Sequence, residues 1–238
     1  MQPATVNRIL QAILHNEAFS DAASNPDSRA ALVNAVHALF YLHPSNTCQP
    51  SHVAPLISVY RGTLDTSDLK IISLFQLFER ERRCSCASIF ARWPGTTTIS
   101  PSGVLNALTS LEAARVIRLC TTWPTWRGVR VSERPKEDAT WDGLYDPVFV
   151  LLLLGQVLAD DTSKSPLDVV RIFRSNVPCV VTLGLSSKHD DIRRLSWAIL
   201  CGLAAFIEVM TYAQPIRDAN QYFFSHWISL RNLKRSIL

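Results

Sequence analysis

The sequence predicts an all-α protein, and three observations carry that expectation. Only 8 glycines stand against 13 prolines in 238 residues, too few turn formers for a β-rich chain. Hydrophobic residues make up 47% and charged residues 18%, which is enough apolar material for a sizeable core. Apolar residues recur at spacings of three and four from end to end, and one start signal, Ser or Asp followed by Pro, opens several of the segments.

In chain order, Val6, Ile9, Leu10, Ile13 and Leu14 form the stripe of a first helix, the end expected to lie bare if a further repeat stacked there. Ser28 to Tyr41 and Val53 to Tyr60 are expected to form a helix pair. In "TSDLKIISLFQLFERERR", Ser67 stands where a cap belongs, and Ile71, Leu74, Phe75 and Phe78 share a face. "CSCASIFARWPGTTTIS" then interrupts the helices with Trp93, Pro94 and Gly95, and Ser100 before Pro101 starts the next one.

The stretch "TTWPTWRGVRVSERPKEDATWDG" mixes Trp123, Trp126 and Trp141 with Arg127, Arg130, Arg134 and Lys136. It exceeds the roughly 12–15 residues beyond which a structureless loop is usually functional or disordered. Two readings stand: bases stack on the tryptophans while the arginines meet phosphate, or the tryptophans pack the loop onto its own helices. Asp146-Pro147 and Ser165-Pro166 start two further helices, predicted over Asp146 to Ala159 and Pro166 to Ser175 and expected to pair.

The last clear pattern is "VPCVVTLGLSSKHDDIRRLSWAILCGLAAFIEVM". A short helix begins near Pro178, and a longer one keeps Ile192, Leu195, Ile199, Leu203, Phe206 and Met210 on one face. Short helix, Asp-containing corner, basic pair and long apolar helix is the pattern of a HEAT or armadillo unit. The fold expected is therefore an irregular HEAT/armadillo-like α-solenoid segment. Its parts are a helical-repeat portion over residues 1–120, a Trp/Arg-rich loop or linker over 121–144, and a HEAT-like helical portion over 145–238.

A formal charge of +4 permits RNA as a neighbour without requiring it. Six cysteines scattered among apolar residues suit a reducing compartment. The start "MQPATVNRIL" lacks the pattern of a secretory leader, and "AILCGLAAFIEVM" is too short for a membrane span and contains Glu208, so a soluble intracellular protein is expected.

His189, Asp190 and Asp191 offer metal or acid–base chemistry by residue type, but no further ligand follows at metal spacing. The two aspartates are expected to cap the helix. Cys84 and Cys86 form a lone C-x-C, and His37 and His43 miss the i, i+4 spacing of a zinc-binding face. No phosphate-cradling glycine loop or nucleophile elbow occurs. The chain is expected to be no enzyme, with no catalytic, cofactor-binding or metal residues and no small-molecule substrate. The candidate RNA- or partner-binding residues are Lys188, Arg193, Arg194, Arg231, Lys234 and Arg235, with Arg127 and Arg130 from the loop.

Four segments, "YRGTLDTSDLKIISLFQLFE", "YDPVFVLLLL", "LGLSSKHDDIRRLSWAIL" and "LRNLKRSI", resemble in that order the C-terminal region of the nucleolar pre-ribosomal-associated protein 1 family. The matching residues are Tyr60, Thr63, Leu64 and Asp68; Tyr145, Asp146, Pro147 and Phe149; Asp191, Arg193 and Arg194; and Leu230, Arg231, Asn232 and Ile237. The resemblance implies a nucleolar scaffold of early pre-60S ribosome assembly and rRNA processing, without catalytic activity or cofactor. It implies an Urb2-type protein and a DEAD-box RNA helicase as partners, with pre-rRNA as a further candidate. Members of that family are many times longer, so it also implies a fragment of a larger chain. The alternative is a generic HEAT-like adaptor unrelated to ribosomes.

Overall fold

The computed structural model describes residues 1–93, 103–130, 141–160 and 165–212, the last without the side chains of 210–212. Among these residues there are thirteen α-helices and no strand, and the fold is all-α and solenoid-like. One isolated antiparallel bridge joins Thr63 to Tyr145.

Helix α1 (Pro3–Leu14) has proline in its first turn and buries Val6, Leu10 and Leu14. It packs on α3 (Pro26–Leu42) and on the single turn α4 (Pro44–Thr47), so the stripe expected to lie bare is covered. Helix α3 begins two residues before the expected Ser28. Asn25 accepts a hydrogen bond from the Asp27 N–H at 3.0 Å, and Pro26 occupies the first helical position, where its missing N–H costs nothing. Helix α2 (Phe19–Ser24) packs against both α3 and α5 (Val53–Val59).

The expected pairing of 28–41 with 53–60 is not the main one, because α3 lies chiefly along α6 (Thr66–Arg82). Helices α3 and α6 are each 17 residues long, whereas α5 has 7, so only α6 can cover α3 along its length. Ser67 is also not the cap of α6. Asp65 holds that position, and Ser67 is buried within the first turn.

Three short helices follow: α7 (Cys86–Phe90), α8 (Gly103–Thr109) and α9 (Ala113–Thr121). Helix α10 (Pro147–Ala159) is the hub. Ten of its 13 residues are buried, and a helix apolar all round must be covered all round. It packs on α7, α8, α12 (Val177–Gly184) and α13 (Asp190–Tyr212). Its expected partner, α11 (Pro166–Arg174), sits mainly on α8 and α12 and leaves Leu167 67% and Phe173 48% exposed.

The start signals at Asp146-Pro147 and Ser165-Pro166 open helices as read. The Asp146 carboxylate accepts from the Val148 N–H at 2.9 Å, and the Asp168 carboxylate accepts from both the Ser165 N–H and its hydroxyl. The start at Ser100 and Pro101 lies outside the described residues. Among the described residues no helix is long and apolar enough to cross a membrane.

Candidate functional site

Two buried Arg–Asp pairs organise the middle of the molecule. In the first, Asp68 of α6 accepts from the Arg29 guanidinium of α3 at 2.5 Å, from the Thr63 hydroxyl at 2.5 Å, and from the Thr63 and Arg61 N–H groups. Arg29 also donates to the carbonyls of Ala23 and Val59, so one side chain ties α2, α3, α5 and α6 together. Burial pushes the Asp68 carboxyl above its ordinary range, while the Thr63 hydroxyl and the Arg29 charge pull it back. Arg29 lies on the same stripe as Val33, Val36 and Phe40. A cation on an apolar stripe was the available signal for this pair, and sequence reasoning missed it.

In the second pair, Arg127 and Asp146 are both wholly buried and meet at 2.7 Å. Asp146 also caps α10, while Arg127 donates through its other amino group to the carbonyls of Gly128 and Arg130. Arg127 was a candidate for RNA or partner binding, with packing of the loop as the other reading. The fold gives it another role, because its donors face inward and hold a buried helix cap and the loop around it.

The two pairs are coupled through backbone. The Asp146 N–H donates to the Gly62 carbonyl at 2.8 Å, and the Leu64 N–H donates to the Leu144 carbonyl at 2.9 Å. Gly62 has φ +70°, and a Cβ there would lie 2.5 Å from the Phe149 ring, so backbone conformation and close approach both require glycine. Tyr60 stands beside this junction, with its ring centroid 5.5 Å from Phe75, 5.7 Å from Phe90 and 5.4 Å from Phe149. The Trp93 indole N–H donates to the Tyr60 carbonyl at 2.7 Å. Burial, with the Asp146 and Asp68 charges, holds the Tyr60 hydroxyl well above its usual pKa.

The Trp/Arg-rich stretch is anchored at both of its described ends. Trp126 and Trp141 lie 5.6 Å apart and pack on Leu64, Leu69 and Leu144. Arg115 of α9 stacks over the Tyr145 ring at 4.3 Å and donates to the Gly143 carbonyl, and the Tyr145 hydroxyl accepts from the Glu112 N–H. The described tryptophans therefore do what packing asks of them.

The corner at 187–194 touches the same loop. Asp191 does more than the expected capping, for which one carboxylate oxygen accepts from the Ile192 N–H in the first turn of α13 at 2.8 Å. Its carboxylate reaches across to accept from the Val129 N–H at 2.8 Å, tethering the Arg127 loop. Asp190 pairs with Arg193 at 3.1 Å and with Arg194 at 2.6 Å, and Arg193 also donates to the carbonyls of Ser187 and Lys188. Both acids lie in the first turn of α13, where negative charge suits the helix dipole.

Of the candidate binding residues, Lys188, Arg194 and Arg130 are exposed and Arg193 is partly so. The Asp191 tether brings the loop of Arg127 and Arg130 to the corner of Lys188, Arg193 and Arg194. Arg231, Lys234 and Arg235 lie outside the described residues.

Among the described residues no group of three or more His, Cys, Asp and Glu is placed to hold a metal ion. His37 hydrogen-bonds the Ser73 hydroxyl at 3.1 Å, and His43 meets the Met1 carbonyl at 3.0 Å. All six cysteines are free thiols, and burial pushes Cys48 and Cys120 up to about 11, away from the thiolate form.

The chain is similar to nucleolar pre-ribosomal-associated protein 1 of Homo sapiens, 24% identical over 216 residues, or 79% of this chain. The mouse protein of the same name is 24% identical over 218 residues. In both cases the chain spans 9% of the length of the relative. No family model and no solved structure matches it. Among the residues that carry the resemblance in the sequence, Asp68, Thr63 and Asp146 belong to the two ion pairs and their hydrogen bonds, Tyr60 and Phe149 to the rings beside them, and Asp191 to the loop tether.

Proposed function

We propose that the chain takes part in ribosome biogenesis in the nucleolus, as a non-catalytic helical scaffold within early pre-60S particles. The observation that carries this reading is the similarity to nucleolar pre-ribosomal-associated protein 1 across 79% of the chain. The structure supports a scaffold role in a general way. Its buried charged residues are used to lock helices and a loop together, and stacked helices offer a long surface for partners. An Urb2-type protein and a DEAD-box RNA helicase are the proposed partners.

Protein contacts are favoured over pre-rRNA at the described corner, because Asp190 offsets one of the two positive charges of Arg193 and Arg194 that phosphate would otherwise meet. The same observation is compatible with a generic helical adaptor. Gradient sedimentation of the tagged chain in its full-length context, with imaging of its location, separates the two. Co-sedimentation with pre-60S particles and nucleolar signal are expected. A Lys188→Glu, Arg193→Glu, Arg194→Glu variant should loosen partner association without changing its background binding to naked RNA. A chain absent from both nucleoli and pre-60S fractions would leave only the adaptor.

A further inference from the structure

Two places in the chain set a serine behind a pair of arginines: Arg82-Arg83-Cys84-Ser85 and Arg193-Arg194-Leu195-Ser196. As linear sequence they are equal, and each offers guanidinium groups two and three residues before a hydroxyl. That is the charge pattern read by a protein kinase whose substrate groove is lined with carboxylates. The first stretch adds Arg80, five residues before its serine.

The fold separates them. Ser196 is fully buried inside α13, and its hydroxyl lies so close to α12 that a Cβ on Gly184 would collide with it. Arg193 and Arg194 are both occupied by Asp190. Ser85 lies in the three-residue non-helical link between α6 and α7 and is partly exposed. Arg82 and Arg83 are exposed, and the Arg80 side chain, paired with Glu81 at 3.1 Å, is still 65% exposed. Arg83 takes a left-handed conformation, φ +56°, which a non-glycine residue adopts at some cost. The link is thus already out of helical geometry, and its departure toward an extended form releases strain. Only the last turn of α6 and the start of the five-residue α7 need open for a kinase to grip it.

We propose that Ser85 is a phosphorylation site for a basic-residue-directed serine/threonine kinase, and that Ser196 is shielded by the fold. In the transfer, the Ser85 hydroxyl oxygen bonds to the γ-phosphorus of ATP, the bond from that phosphorus to the β–γ bridging oxygen breaks, and ADP leaves. The hydroxyl proton passes to the kinase aspartate. The new phosphate would carry about −1.5 to −2 charges two residues from Arg83 and three from Arg82. Arg82 now donates to the carbonyls of Ser45 at 2.7 Å and Cys48 at 2.9 Å, holding the α4 turn to α6. A phosphate competes for that guanidinium, so modification loosens the turn.

The test uses the purified full chain with ATP, magnesium and the catalytic subunit of cyclic-AMP-dependent protein kinase, with sites mapped by mass spectrometry. Phosphate is expected at Ser85 and not at Ser196, and Ser85→Ala should abolish the incorporation. Arg83→Gly removes one recognition charge while relieving the left-handed strain. It should slow incorporation by about tenfold in a protein no less stable than the parent. A synthetic peptide of residues 78–90 isolates the motif from the fold. The proposal is overturned if the peptide is phosphorylated and the chain is not, if neither is, or if Ser196 in the folded chain reacts as readily as Ser85. None of these outcomes bears on the ribosome-assembly reading, which concerns location and partners.

Discussion

The two buried ion pairs look alike in composition and differ in what they hold. Arg29–Asp68 fastens helix to helix: Asp68 has four donors, while the Arg29 Nε has no hydrogen-bond partner and lies 4.0 Å from Asp65. Arg127–Asp146 fastens a loop to a helix start, with Nε, Nη1 and Nη2 of the guanidinium all used and the carboxylate doubling as a cap. A helix–helix clamp shares its load with the apolar contacts around it. The loop has apolar contacts through Trp126 and Val129, but no helix of its own, so the ion pair fixes the path of its backbone between them.

That contrast ranks the expected losses. Asp146→Ala leaves a fully buried guanidinium unpaired, at about 3–5 kcal/mol, and removes a cap worth about 1 kcal/mol more. Urea denaturation should show this as the largest loss, with exchange of the Val129 amide rising as the loop lets go. Asp68→Asn keeps the shape and part of the hydrogen bonding but removes the charge facing Arg29, at about 2–3 kcal/mol. The Val129 amide should stay protected. If Asp68→Asn frees that amide as readily as Asp146→Ala does, the two nodes are one cooperative unit and the division drawn between them is wrong.

Asp191→Ala tests the tether from its other end. Two hydrogen bonds to backbone N–H groups are lost, those of Val129 and Ile192, at about 1 kcal/mol each, and the effect should appear in the loop and at the first turn of α13. Methyl and amide chemical shifts near Gly128 and Val129 are the readout, and changes spread over α3 and α6 would contradict it.

The smallest effect is acid sensitivity confined to the first half. Burial lowers His37 and His52 below the ordinary 6.5, with the Lys70 charge adding to the shift at His37 and His15 adding at His52. The Thr47 carbonyl opposes the shift at His52. An unfolded histidine takes a proton first, so stability present above about pH 6.5 falls as pH drops toward the folded values. Amides of α3 and α4 should lose protection in that window before those of α10. Uniform loss across the chain would place the acid response elsewhere.

Legibility in the sequence followed range. Asp146-Pro147 and Ser165-Pro166 could be read because cap and helix are neighbours in the chain. The partner of α3 could not, because Arg29 and Asp68 are 39 residues apart and α5 intervenes with its own apolar pattern. Arg127 stayed open between two readings for a physical reason. Arginine beside tryptophan suits a surface for nucleic acid as well as a packed loop, and nothing local says that Asp146 will draw it inside. Asp191 is 62 residues from Val129, and its position in a first turn accounts for it so well that a second use leaves no trace in the sequence.

Helix α10 also governs the order in which the chain can mature on the ribosome that makes it. Helices α7 and α8 pack against it, yet both are synthesised well before it. At about 5–20 residues per second, the roughly 70 residues from the end of α7 to the end of α10 take several seconds to translate. During that interval Ile89, Phe90, Val104 and Leu108 have no hub to cover them. Even then α10 still waits for α12 and α13. The first half of the nascent chain thus emerges with apolar surface it cannot bury alone, a natural client for a chaperone acting at the tunnel exit.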